Sequence, residues 1–382
     1  MRRLEWGTWV AFVAFGMAMT SVPALLPFLR GWLNRDYAEL SWLYAAGAAG
    51  NTAAYFAANR LVDRIGYGRL LPASLGVLAV GYGVLATSHA FSAWLVTLVL
   101  AGMAGSLIDV GSTRLVTALF RPRPDAALNR LNVFFGIGAI LGPLLAMAAI
   151  DRAASPAPVF IVVGVLAAVG ALTLTAAAQV RVDVLPSTVS PASGWHIPWI
   201  RRMAVAMLLY IAAEVGFGSW ISPFAHRFAG VPTGLAALFP MAFWAGLVAT
   251  RVISSTPLLR WRRDVILRVG AMLGAATSAL ALLGGASAPF LFLFAFFVGA
   301  SLGPAFPTVL AAASARAPGH ESVSYGVIYG VMAVAALVVP WGEGQIFGSF
   351  PLVAMAVTPL ACLGMAAVIQ VDRRSSAREA PD

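Results

Sequence analysis

"NRLVDRIGYGRLL", residues 59–71, joins two long apolar runs, residues 41–60 and 69–88. Its polar residues are few and ordered. Asp63 and Arg64 close the first run, Gly66 sits at a turn, and Arg69 opens the second. An acid at a helix end can pair with an arginine and cap the N-terminus of a neighbouring helix. If the flanking runs cross a membrane, this is a tight re-entry turn carrying a charged latch. If they do not, it is an ordinary surface turn with arginines along its rim.

Composition decides between the two. Hydrophobic residues make up 60% of the chain and charged residues 10%, whereas a soluble domain is about half apolar and about a quarter charged. A hydrocarbon core about 30 Å thick takes roughly 20 apolar residues per helical crossing. The first such run, "WGTWVAFVAFGMAMTSVPALLPFL" (residues 6–29), is too long for a signal h-region and no small-residue cleavage site follows it. It reads as a first spanning helix.

Cutting at charged and Pro/Gly-rich breaks gives twelve runs: 6–29, 41–60, 69–88, 92–119, 127–150, 156–178, 201–225, 232–254, 265–286, 288–314, 322–346 and 351–371. The longest polar interruption, "QVRVDVLPSTVSPASGWHIPWIRR" (residues 179–202), separates the sixth from the seventh. The predicted fold is therefore an all-α membrane protein of twelve transmembrane helices. Two six-helix bundles, 1–178 and 201–382, are joined by a central loop, 179–200.

All 25 basic residues are arginine, and the net charge is +10. Nucleic acid is not the expected partner, because topology accounts for the charge. With the N-terminus inside, only Arg30, Arg35, Arg152 and Arg227 fall outside, and the other 21 lie on or near the inner side, a bias that sets orientation. The expectation is a monomeric, multi-pass protein of a bacterial inner membrane with both termini cytoplasmic. Its partners are lipid, protons and a small-molecule substrate. Twelve spans as six plus six, with a cytoplasmic central loop, match transporters built from two repeated halves.

The turn at 59–71 resembles the signature of the major facilitator superfamily. Asp63, Arg64, Gly66 and Arg69 match it, while Asn59 stands where that family has Gly. The resemblance implies a conformational latch built on Asp63, Arg64 and Arg69. In the fifth span, "LNVFFGIGAILGPLLA" (residues 131–146) carries Gly136, Gly138, Gly142 and Pro143. Small residues four apart let helices approach closely, and a proline frees a carbonyl and permits a bend. This pattern is similar to the fifth-helix motif of antiporters in the superfamily and also to its fucose–galactose–glucose proton symporter branch. "YIAAEVGFGSWI" (210–221), "FWAGLVATR" (243–251) and "GASLGPAFPTVLA" (299–311) resemble that branch too. "LIDVGST" (107–113) keeps its Asp, with Thr113 in place of an Asn. The resemblance implies two pseudo-symmetric bundles rocking about a midplane site, formed by helices 1, 4, 7 and 10, that carries a monosaccharide with protons.

Two membrane acids stand out. Glu214 lies inside an apolar run, where a charge costs about 2.5–3.5 kcal/mol on insertion scales. Desolvation favours the neutral form of a carboxyl, so an acid held there can take a proton from one side and release it to the other. It can also accept hydrogen bonds from substrate hydroxyls, or bond structurally to a neighbouring helix's backbone or Trp. Asp109, in the fourth span, is either a proton-coupling group or half of a structural ion pair. Arg114, five residues on, is off the usual i, i+4 register, so a partner from another helix is equally expected. Glu343, in "PWGEGQIF", reads as an interfacial or gating residue, and Arg251 as a snorkelling or gate arginine.

Asn51, Asn132, Trp220, Trp244, Tyr325 and Tyr329 are the substrate-cavity candidates; helix packing is the alternative for each aromatic. The lone Cys362 implies neither a disulfide framework nor a metal cluster. No nucleotide-binding, zinc-hydrolase or nucleophile-elbow motif appears, so no enzyme activity and no cofactor are expected, and a proton gradient is the expected energy source. A proton-coupled exporter of drugs or metabolites is the rival reading, favoured by the Gly/Pro pattern of the fifth span, and the scarcity of membrane amides counts against a sugar site. A non-transporting sensor or scaffold is the remote one.

Overall fold

A computed structural model describes residues 2–120, 125–175, 195–254, 262–284, 286–315 and 321–378. Most of the expected central loop lies outside the described residues. The described residues form fifteen helices and no strand. They are α1 (Arg2–Trp32), α2 (Tyr37–Ile65), α3 (Tyr67–Thr87), α4 (Phe91–Leu119), α5 (Asp125–Ala153), α6 (Ala157–Leu174), α7 (Pro198–Phe228), α8 (Thr233–Ala236), α9 (Phe239–Ser254), α10 (Arg263–Leu283), α11 (Ala288–Leu302), α12 (Ala305–Ala315), α13 (Glu321–Phe347), α14 (Pro351–Met355) and α15 (Val357–Arg378). Three expected spans are each split in two: α8 with α9, α11 with α12, and α14 with α15. The fifteen helices thus correspond to the twelve predicted runs. Eleven segments are long and apolar enough to cross a membrane. The exception, α2, is 29 residues long but carries Glu39, Asn51, Asn59, Arg60, Asp63 and Arg64.

Local chemistry sets the helix ends. Asp36 caps α2 in a reciprocal box with Glu39: its carboxylate accepts from the Glu39 N–H at 2.8 Å, and the Glu39 carboxylate accepts from the Asp36 N–H at 3.1 Å. One residue, Gly66, separates α2 from α3, with φ +72°. That backbone region favours glycine, so the turn in the 59–71 stretch depends on it. Pro304, which has no N–H to donate, marks the break between α11 and α12.

The helices group into two compact units, Met1–Leu185 with Val231–Met241, and Pro186–Gly230 with Ala242–Asp382. The expected C-terminal bundle thus loses residues 231–241 to the first unit, where α8 packs on α5 and Gly234 abuts the Asp151 carboxylate. Each unit pairs its spans in the same order. In the first unit α1 packs on α5, α2 on α4 and α3 on α6; in the second, α7 packs on α13 and α10 on α15. α9 meets α11 through glycine. The shared scheme is that of an internal repeat.

Close backbone approach makes these crossings. A methyl at Gly138 would overlap the Val13 carbonyl, and one at Gly16 the Phe135 carbonyl. At Gly142 it would lie 2.6 Å from Thr20 Oγ1. The α2–α4 crossing uses Gly50 against the Val99 carbonyl and Gly102 against the Gly47 carbonyl. The α9–α11 crossing uses Gly246 against the Phe296 carbonyl and Gly299 against the Phe243 carbonyl. Hydrocarbon supplies no hydrophobic drive between helices, so such van der Waals contact carries their association.

The contrast between packed and open glycines is testable. Gly138→Val should lower thermal stability in detergent by about 1–3 kcal/mol or more, the usual cost of overpacking. Gly76→Ala, where a methyl meets open space, should leave the melting temperature unchanged or raise it.

Candidate functional site

In the second unit, polar groups from three spans converge. Tyr210 and Glu214 lie one turn apart on the same face of α7, and Glu214 is buried, with 7% of its surface exposed. Arg251 arrives from α9. Its Nη2 donates to the Tyr210 hydroxyl at 2.9 Å and to Glu214 Oε1 at 3.2 Å. Its Nε donates to the Gly303 carbonyl at 3.1 Å.

That carbonyl is available for a reason written in the sequence. In a continuous helix it would accept from the N–H of residue 307, but residue 307 is proline and has none. The "GPAFP" stretch thus presents a bare carbonyl at a helix break, and Arg251 satisfies it. Beside it, the guanidinium lies over the Phe306 ring at 5.9 Å, within cation–π range. Phe306 also contacts Tyr210 at 6.3 Å and, edge to face, Tyr329 of α13 at 6.4 Å between ring centroids.

The cluster is a carboxylate, a guanidinium and a phenol, walled by aromatic rings, in an apolar bundle. Glu214 was expected to face either a cavity or a neighbouring helix's backbone or Trp; its partner is Arg251. Arg251, read as a snorkelling or gate residue, instead joins α7 to the break between α11 and α12. About 29% of its side chain stays exposed.

Other candidates are placed differently. Trp220, expected at a cavity wall, is wholly buried. Its indole N–H donates to the Pro340 carbonyl at 3.0 Å, and its ring stacks on Phe347 at 4.7 Å. It is a packing residue between α7 and α13. Trp244 is half-buried beside Phe243. The side chain of Tyr325 lies outside the described residues. Asn132, on the exposed side of α5, donates to its own helix at the Leu128 carbonyl, 3.0 Å away. Asn51, half-buried on α2, accepts through its backbone carbonyl from Ser106 of α4 at 2.9 Å.

Asp109 is half-buried on α4, with no hydrogen bond or ion pair to another described residue. Arg114 turns instead to Asp63 of α2, with Nη1 to Oδ1 at 3.1 Å. The acid of the 59–71 turn is therefore tied to α4, while Arg64 and Arg69 are exposed. Gly138, Gly142 and Pro143 lie in α5, with both glycines against α1; Gly136 is buried on the same helix. Glu343, read as interfacial, is 2% exposed.

A double-mutant cycle tests the cluster. Arg251→Met leaves a buried carboxylate unpaired and should cost about 3 kcal/mol of stability in detergent-solubilised protein. Adding Glu214→Gln should recover most of that loss. Additive effects would mean that the two side chains do not share one network.

Residues 8–340 match the family model described as Major Facilitator Superfamily. An uncharacterized MFS-type transporter of Bacillus subtilis, YfkL, is 30% identical over 139 residues, covering 36% of this chain and 35% of that protein. Human sodium-dependent glucose transporter 1 is 24% identical over 279 residues, covering 63% of this chain and 54% of that protein. The chain thus spans about a third to a half of the length of these relatives. The solved structure of a bacterial homolog of the human lysosomal transporter Spinster, in an inward-facing and occupied conformation, superposes with a TM-score of 0.73. That superposition covers 96% of this chain and 94% of that one at 12% identity, a likeness of fold. Twelve spans in two similarly paired units, split helices and a family match over most of the length lead to one conclusion: the chain belongs to the Major Facilitator Superfamily, a family of transporters.

Proposed function

We propose that the protein is a secondary active transporter that moves a monosaccharide together with protons by alternating access. The observation that carries this reading is the cluster of Tyr210, Glu214 and Arg251 against Phe306 and Tyr329. Sugars present hydroxyls at their edges and C–H groups on their faces. A carboxylate accepts from the hydroxyls, a guanidinium and a phenol donate to them, and an aromatic ring stacks on the apolar face. Ligand sites commonly combine such apolar walls with a few convergent polar groups. The glucose transporter named among the relatives supports the same solute class.

Asp109, half-buried and without a charged partner among the described residues, is the proton acid proposed for the first unit. Trp244, Asn51 and Tyr325 remain proposed substrate contacts. The Asp63–Arg114 pair is the proposed latch, with Arg64 and Arg69 beside it. The arginine bias supports both termini lying inside a bacterial inner membrane. A second reading, a proton-coupled exporter of drugs or metabolites, draws on two placements. Asn132 is satisfied by its own helix and Trp220 by packing, which leaves few polar contacts for a sugar.

Substrate-driven proton movement in sodium-free proteoliposomes tests this. A monosaccharide should alkalinise the outside as protons enter with it, and Glu214→Gln should abolish that response. Proton flux with cationic drugs alone overturns the sugar reading. A response that appears only when sodium is added overturns the proton. Asp63→Asn removes a partly exposed pair, so it should cost under about 1 kcal/mol of stability while slowing transport in the same assay.

A further inference from the structure

The second unit encloses another acid besides Glu214, and the two differ in one decisive respect. Glu214 has a cation beside it. Glu343 is 2% exposed, and neither of its carboxyl oxygens has a hydrogen-bond partner among the described residues. It sits on α13, four residues before the helix ends at Phe347. It faces Gly216 of α7 so closely that a methyl there would lie 2.6 Å from Oε1 and 3.0 Å from Oε2. α13 is the counterpart of α5, and α7 of α1. Where the first unit brings glycine onto backbone, the second places a carboxyl on a glycine.

Among the described residues, the helices packed on α13 bring no counter-charge near Glu343. The helices packed on α13 are α7, α12 and α14. α12 (AFPTVLAAASA) and α14 (PLVAM) contain no ionisable side chain. On α7 the ionisable groups are Arg201, Arg202, Tyr210, Glu214, His226 and Arg227. Glu214 and Tyr210 are held by Arg251. His226 and Arg227 lie about 15 Å further along the helix than Gly216, and Arg201 and Arg202 about 20 Å before it, at 1.5 Å per residue. On α13 itself, Tyr329 lies some 20 Å back along the helix by the same rise; the side chains of Glu321 and Tyr325 lie outside the described residues. The donors nearest Gly216 by register on α7 are Ser219 and Trp220, and the Trp220 indole is committed to the Pro340 carbonyl.

An ionised carboxylate buried without a partner costs several kcal/mol, so in this conformation Glu343 holds its proton. Glu214, by contrast, has the Arg251 guanidinium as its counter-charge. We propose that Glu343, rather than Glu214, carries the coupling proton through the second unit. This rests on the reading of the protein as a proton-coupled transporter. Glu343 lies about 6 Å from the end of α13 by helical rise, a short path for release once α7 and α13 part at Gly216. One carboxyl without a second acid suits a proton better than a metal cation, and no cluster of three metal-ligating side chains occurs among the described residues.

The experiment separates proton flux from substrate exchange, with Glu343→Gln and wild type in parallel proteoliposomes. Glu343→Gln should lose substrate-driven proton flux while retaining exchange of labelled for unlabelled substrate, and it should melt with wild type, because a neutral amide replaces a neutral acid. Infrared difference spectra of wild type should show the C=O band of a protonated carboxyl that Glu343→Gln lacks. Gly216→Ala, which leaves the acid in place, should shift the pH profile of flux. Wild-type flux in Glu343→Gln, or absence of that band from wild type, overturns the proposal. Failure of the proton-coupled reading itself shows separately, as wild type that exchanges substrate without moving protons.

Discussion

Hydrocarbon accepts and donates no hydrogen bonds, and that constraint organises this molecule. Each backbone N–H and C=O inside the layer must find a partner within the protein, so the described spans are helical. Wherever a proline interrupts a helix, a carbonyl is left over and another group must meet it. At the break between α11 and α12 that group is Arg251, which bonds to Gly303. Having been brought there, the same guanidinium meets Glu214 and Tyr210. The site is thus a consequence of how a broken helix is satisfied in a medium without water.

The same medium decides how helices associate. With no hydrophobic gain between spans, contact area and close approach take over. Gly16, Gly138 and Gly142 let α1 and α5 touch through backbone, and Gly246 and Gly299 do the same for α9 and α11. Repeating one pairing order in both units sets the polar cluster and the buried Glu343 on different faces of α7. Glu214 looks towards α9, and Gly216, two residues on, looks towards α13.

The contrast between the two acids follows from what each helix face meets. One meets an arginine; the other meets a glycine and apolar side chains.

The sequence alone determined that the chain spans a membrane, where its twelve crossings fall to within a few residues, that they divide six and six, and that the turn at 59–71 carries a family signature. These follow from composition and run length, which solvent transfer dictates locally. It also marked Glu214 as unusual and the 299–311 stretch as resembling a helix motif of that family. What it did not determine is which side chains meet. Tyr210 and Glu214 share a face by spacing, but Arg251 is 37 residues beyond Glu214, and their meeting depends on how α7, α9 and α12 pack. Likewise Asp63 chose Arg114 across α2 and α4, and Trp220 turned into packing. Glu343 went from an expected interface to an interior, because Gly216 lies opposite it. Burial and pairing are properties of neighbouring helices, and only the tertiary structure supplies the neighbours.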